Sequence, residues 1–222
     1  DGAGFATLQD NTLTFAIEKG RIAAAQGGLV DVAGSSFSIL NTRVYNAPAE
    51  VRLKTNSTIT AALAILDTAP FGYMTAAGLP VTLADGRAQA EGTIEFPLKP
   101  VLGPGDTKFD FTAKLTELRS SVLVPDHVVT ASELDLVANL EDGLQISGLA
   151  RLGQISGRGL WSRPLGPGAD RKSILTAEVN LDQAFLDELN IGLTDGTLRG
   201  SGSGTLQIDL PDGAAPTFEL SS

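Results

Sequence analysis

Apolar and polar residues alternate along most of the chain. Leu13, Phe15 and Ile17 fall on one side of an extended segment, and the residues between them fall on the other side. The same period of two returns in residues 109–115 and 134–140. We count about a dozen such segments, each with one apolar face, joined by short turns such as Asp142-Gly143. The pattern predicts a mainly β protein made of antiparallel strands.

A helical period interrupts the alternation. The apolar residues of this stretch have helical spacing, at Ile59, Ala62, Leu63 and Leu66. Ser57 precedes them and has a side chain that can cap the first turn. Residues 67–79 contain Pro70, Gly72 and Gly78 and are expected to form an elbow, after which the alternation resumes. A second short helix is predicted at roughly residues 182–189.

The two helical stretches precede similar strands. Residues 92–98 read GTIEFPL and residues 204–210 read GTLQIDL. The similarity predicts one supersecondary unit used twice, with internal units at roughly 37–100 and 130–210. The chain begins DGAGFATLQD without an initiator Met. We therefore expect residues 1–222 to be a single segment of a larger repetitive β protein.

A sheet of this length has to shield its apolar face. We predict a long, twisted antiparallel sheet that curls into a groove, with two short helices. A closed β-sandwich or barrel is the alternative, because the same alternation suits both. An open groove would leave its inner face as a binding surface, whereas a closed sandwich would make that face its core.

The composition excludes several classes of function. The net charge of −10 argues against binding nucleic acid, whose phosphates require a basic surface, and against lying flat on an anionic membrane. The chain has no Cys, which excludes disulfides, thiol catalysis and cysteine-type zinc sites. It also has no apolar run near 18 residues, the length that a membrane-spanning helix requires.

No catalytic or metal-binding motif is complete. His127 is the only His, and no G-x-S-x-G sequence is present to supply a nucleophile. His127 is expected in an exposed loop. Arg171 stands before Lys172 where a phosphate loop needs Gly, and the acidic clusters lack the spacing of a calcium loop. We expect no enzyme, cofactor or metal. A glycosidase would need two carboxylates across a cleft, which sequence spacing neither shows nor excludes.

One stretch resembles a known family. Residues 61–73 read AALAILDTAPFGY, and residues 86–100 read GRAQAEGTIEFPLKP. A leucine-rich helix, an Asp and a Pro-Phe-Gly-Tyr elbow, followed by a Gly-rich strand ending in Phe-Pro-Leu, resemble the AsmA-like bacterial envelope proteins, in particular their YhdP-type branch. The resemblance implies a hydrophobic β-groove in a periplasm-spanning protein anchored in the inner membrane, moving phospholipid between inner and outer membranes.

The expected partners are phospholipid acyl chains, neighbouring segments of the same chain and other envelope proteins. The alternative function is a non-conducting structural or interaction module whose strand edges pair with neighbours. For each candidate groove residue, an ordinary core position is an equal alternative. The candidate groove residues are Leu13, Phe15, Ile17, Ile94, Phe96, Phe109, Phe111, Leu134, Leu136, Leu206 and Ile208.

Overall fold

The computed structural model describes residues 2–69, 72–103, 105–124, 126–166, 168–169, 172–183, 185, 202–211, 215 and 217–221. Within them lie two helices, α1 (Ile59–Leu66) and α2 (Tyr73–Ala76), and thirteen strands. The strands are β1 (Gly2–Gln9), β2 (Thr12–Ala23), β3 (Leu29–Asp31), β4 (Ser36–Ile39), β5 (Pro48–Thr58), β6 (Asp85–Pro97), β7 (Lys108–Val124), β8 (His127–Asn139), β9 (Gly143–Leu152), β10 (Ile155–Arg163), β11 (Ser173–Leu181), β12 (Gly202–Leu210) and β13 (Thr217–Ser221).

All thirteen strands belong to one antiparallel sheet, ordered along the chain. β3 and β4 both lie between β2 and β5, so the thirteen strands occupy twelve positions. The edge strands β1 and β13 do not pair with each other in the described part of the chain. The predicted mainly β, open antiparallel sheet is therefore confirmed, and the closed barrel or sandwich is wrong.

The break between β3 and β4 is closed by Ser35. Its hydroxyl accepts a hydrogen bond from the Lys54 N–H at 3.0 Å and donates one to the Lys54 carbonyl at 3.2 Å. Its own carbonyl accepts from the Ile17 N–H at 2.8 Å. Buried backbone groups need such partners. The side chain of Ser35 thus maintains the sheet where the strand is interrupted.

Helix α1 has the predicted bounds but a different cap. Thr58, not Ser57, is the N-cap: its Oγ1 accepts from the Ala61 N–H at 3.0 Å and donates to the Gly27 carbonyl at 2.8 Å. Ser57 is still in β5, where it is buried and its hydroxyl donates to the Thr58 carbonyl at 3.0 Å. The strand continues one residue further than the sequence indicated, so the capping role moves to Thr58.

Helix α1 packs on both sides. Ile59 joins a cluster with Ala88 and Leu115 of the sheet. Ala61 lies against Val30 and belongs to a second cluster. The helix therefore covers one margin of the sheet, at β3 and at the ends of β5 to β8, and does not itself extend over the middle of these strands.

Helix α2 lies inside the segment expected to be an elbow. The Asp67 carboxylate accepts from the Thr75 N–H at 2.7 Å and from its hydroxyl at 2.8 Å, which lowers the pKa of Asp67 below its ordinary value of 3.8. Pro70 and Phe71 lie outside the described residues, as does most of the second helix predicted at 182–189. From that stretch, Phe185 is buried against Val179.

The accessible surface shows how thin the fold is. It measures 13979 Å² for a 23.0 kDa chain. A compact monomer of this mass would expose about 9,600 Å². No large side chain in the described residues is less than 2% exposed. The protein is thus a curled single-layer sheet with small clusters of buried residues, most of them beside α1.

Candidate functional site

The strand registers place apolar residues from many strands on one face of the sheet. Residues directly opposite each other in antiparallel strands share a face. One such row crosses from β1 to β7 through Ala6, Phe15, Phe37, Val51, Ile94 and Phe109. Phe15 and Phe37 stack with their ring centroids 6.3 Å apart.

Two further rows continue the same face as far as β13. The first consists of Thr55, Ala90, Ala113, Leu136, Ile146, Trp161, Leu175, Ile208 and Phe218. The second consists of Ser57, Ala88, Leu115, Leu134, Gly148, Gly159, Ala177, Leu206 and Leu220. The three rows hold no charged side chain, and we call the face that they form the apolar face. At about 4.8 Å per strand, it extends roughly 53 Å across the twelve positions.

All eleven candidate residues from the sequence lie on the apolar face. Phe15 is 46% exposed, and the other ten are half-buried. The alternation alone placed them on one side of their own strands, and the registers bring those sides together. Whether they contact lipid stays a prediction.

Several residues of the apolar face were not among the candidates. Their signal was present in the sequence, because they alternate with polar residues in the same way. The additions with large side chains are Phe37, Val51, Leu115, Ile146, Trp161, Leu175, Phe218 and Leu220.

The opposite face of the sheet is polar. Glu50 and Arg52 form an ion pair at 2.6 Å, and Lys114 pairs with Glu133 at 2.7 Å. These carboxylates raise the pKa values of Arg52 and Lys114 through hydrogen bonds and charge attraction. Solvent-exposed pairs of this kind contribute little to stability. They define this face as the one in contact with water.

The apolar face has two different margins. Helix α1 and Phe185 cover parts of one margin. At the other, the hairpin loops begin and charged residues appear, such as Arg163 opposite Leu144. Here an open pocket is lined by Tyr45, Leu98 and Leu102 of two neighbouring loops and by Phe96 at the end of β6. Because Phe96 lies in both, the pocket is continuous with the apolar face.

The loop beside this pocket is held closed by Asp106. Its carboxylate accepts from Lys99 Nζ at 2.5 Å and from the Gly103 N–H. These two bonds, the lysine contribution being the larger, lower the pKa of Asp106 below its ordinary value of 3.8. The carboxylate thereby fixes the loop with Val101 and Leu102 projecting outward.

The described residues contain no group of three or more His, Cys, Asp or Glu side chains that could hold a metal ion. His127 is half-buried and begins β8, rather than lying in an exposed loop as the sequence suggested. In the part of the chain that is described, the helices are too short or too polar to cross a bilayer.

Comparison of the chain with protein-family models, curated proteins and solved structures gives no match. The fold and the face by themselves define the class: an open, single-layer, amphipathic antiparallel sheet with one continuous uncharged apolar face.

Proposed function

We propose that this chain is a lipid-binding and lipid-conducting segment of an AsmA-like periplasm-spanning protein, and that phospholipid acyl chains lie along its apolar face. The observation that supports the proposal is the uncharged apolar face, which extends across all twelve strand positions and, in the described residues, is covered at one margin by α1 and Phe185. Its strands, from Phe15 to Phe218, would form one path between the inner and outer membranes.

The energetics favour an apolar ligand. Each methylene removed from water contributes about 0.8 kcal/mol, so an acyl chain that covers the half-buried side chains is held even where shielding is partial. A second sheet or a helix layer would remove the same surface from water within the protein. Among the described residues, only α1 and Phe185 do so, at one margin. The head group would remain in water beside the charged loop margin.

Neighbouring segments of the same chain are the proposed partners at the sheet edges. Twelve alternating positions make β1 and β13 run in opposite directions. A second sheet of the same kind, moved sideways without rotation, would therefore set its β1 antiparallel to β13 and keep its apolar face on the same side. Other envelope proteins could use the same edges.

The edges also support the second candidate function, a non-conducting structural or interaction module. β1 reads GAGFATLQ, with no charged residue and no Pro, and all eight residues are exposed. Natural edge strands usually carry charged residues or Pro, which prevent another strand from pairing with them. In this function the edges would bind partners, and the apolar face would carry no lipid. Neither function uses a catalytic residue.

Extraction of the purified chain with organic solvent, followed by mass spectrometry, tests the proposal. We expect co-purifying phospholipid. Phe111→Glu should abolish it while the circular dichroism spectrum is retained, because a carboxylate on the apolar face is not tolerated beside acyl chains. Thr112→Glu, which points to the polar face, is the matched control and should keep the lipid. Absence of lipid from the parent chain, or unfolding of the Phe111 variant alone, would support the structural module.

A further inference from the structure

We propose that the two loops at the charged margin dock the sheet, end-on, onto the interface of an anionic phospholipid bilayer. The inference rests on the proposed function and adds where a lipid would enter. The loops are residues 40–46, between β4 and β5, and residues 98–103, which precede β7. They lie side by side, since the Leu98 N–H donates to the Ala47 carbonyl at 2.9 Å.

The loops expose large apolar side chains that the fold does not use. Tyr45 is 87% exposed and Val101 is 79% exposed. Polar loops are the norm at a sheet end, and exposed apolar clusters mark interaction sites. The residues that we call the apolar tip are Leu40, Val44, Tyr45, Leu98, Val101 and Leu102.

The local charge selects the partner. The chain as a whole is strongly acidic, with a net charge of −10. In residues 40–47 and 98–108 the charged residues are Arg43, Lys99, Lys108 and Asp106. Asp106 pairs with Lys99, and Glu95 of β6 lies opposite Lys108, so Arg43 supplies the net positive charge of the two loops. Basic residues attract anionic lipid head groups, and a Tyr with aliphatic neighbours suits the boundary between head groups and acyl chains. The acidic remainder would keep the sheet from lying flat, so contact through the tip is favoured.

The pocket connects the apolar tip to the apolar face. Tyr45 and Leu102 line the pocket, and Phe96 lies two residues from Ile94 on the same side of β6, beside the first row of the apolar face. An acyl chain that leaves a bilayer at the tip would pass Phe96 without crossing a charged side chain of the three rows. The bonds of Asp106 to Lys99 and Gly103 hold the loop that places Leu102 at this opening.

Flotation with vesicles tests the docking. The probe is a 3:1 mixture of phosphatidylethanolamine and phosphatidylglycerol, compared with phosphatidylcholine alone. We expect the chain to float with the anionic vesicles. Combining Tyr45→Ser, Val101→Ser and Leu102→Ser should lower the partition coefficient at least about tenfold, because three apolar side chains no longer enter the interface. Leu149→Ser with Leu160→Ser is the matched control. These two leucines are 57% and 42% exposed but lie on the polar face, and their loss should leave flotation unchanged.

A second readout is independent of affinity. The chain has no Cys, so Val101→Cys and Leu149→Cys each provide a single site for a polarity-sensitive dye. We expect a blue shift on anionic vesicles at position 101 and none at position 149. Equal shifts, no flotation, or an equal loss in the control variant would overturn the docking. Flotation without co-purifying lipid would overturn the proposed function and leave the docking in place. Co-purifying lipid without flotation would overturn the docking alone.

Discussion

The ring of Phe111 lies over the backbone of Gly92 on the neighbouring strand. A methyl group at position 92 would overlap the edge of that ring and the Asp110 carbonyl oxygen. Phe111 and Gly92 are directly opposite each other in β7 and β6. The ring of Phe111 therefore fits in this position only because residue 92, its partner on β6, has no side chain.

Gly92→Ala tests this fit. The new methyl group cannot be placed without moving Phe111 and the backbone of β7, and overpacking of this kind costs about 1–3 kcal/mol. We expect a lower free energy of unfolding in urea denaturation. Gly202→Ala is the matched control, because Gly202 also lies on the apolar face and a methyl group there meets nothing within 4 Å. Equal stability of the two variants would contradict the argument.

Substitution of Gly27 by Ala should destabilise the fold as Gly92→Ala does, but for a different reason. It approaches the first turn of α1 so closely that a methyl group would overlap the Ala61 nitrogen and come within 2.8 Å of the Thr60 carbonyl carbon. Gly27→Ala should loosen α1 from the sheet and lower the melting temperature. Gly28 has a similar backbone conformation, with φ +100 against φ +80, but open space around it. The loss of melting temperature in Gly28→Ala therefore comes from backbone strain alone. The larger loss expected in Gly27→Ala measures the additional cost of the overlap between the new methyl group and α1.

A third prediction concerns Thr58, the N-cap of α1. Thr58→Ala removes the acceptor for the Ala61 N–H and the donor to Gly27, and loss of an N-cap costs about 0.5–2 kcal/mol. Thr58→Ser should keep most of this stability, because it retains the hydroxyl. Thermal unfolding followed by circular dichroism compares the three chains. A serine variant as unstable as the alanine variant would assign the effect to the lost methyl group.

Acid should destabilise the fold through three aspartates. Hydrogen bonds from Thr75 to Asp67, from Lys99 to Asp106 and from Lys172 to Asp209 lower the pKa of each carboxyl below 3.8. A lowered folded-state pKa gives stability that is present above 3.8 and is lost as the pH falls through the lower folded-state value. Melting temperatures from pH 7 to pH 2 should fall in this acid range. Replacing the three residues with Asn should flatten that part of the curve, and an unchanged slope would exclude them as its cause.

Trp161 offers a direct optical test of the apolar face. It is the only Trp in the chain and lies half-buried in a row between Ile146 and Leu175. Phospholipid with brominated acyl chains should quench its fluorescence. Moving the reporter to the polar face, with Trp161→Phe and Leu160→Trp, should abolish the quenching. Equal quenching at both positions would indicate lipid adhering to the whole surface rather than to one face.

The sequence predicted the features that depend on the local spacing of apolar residues. Helix α1, the alternating strands and the side of each strand on which Phe111 or Leu136 lies all follow from spacing within about ten residues. It did not distinguish an open sheet from a closed one, since both require the same alternation. That distinction depends on long-range pairing, which alternation does not encode.

Other features depend on positions that have no strong sequence signal. Glu117 adopts a left-handed backbone, with φ +54, close to the place where Leu118 packs beside α1. A shift of register between Thr130 and Leu134 occurs on the next strand pair. Irregularities of this kind redirect side chains to the other face of a strand. Glu has no preference for such a conformation, so only the structure reveals it.

The ordered succession of strands also governs how the chain can fold. Each strand pairs with strands that are next to it, or next but one, in the order of the strands along the chain. Pairing can begin at a short connection such as the one between β8 and β9 and then add one strand at a time in both directions, as in repeat proteins. A growing chain could thus assemble its sheet during synthesis, with each new strand using the exposed edge of the last one as its template.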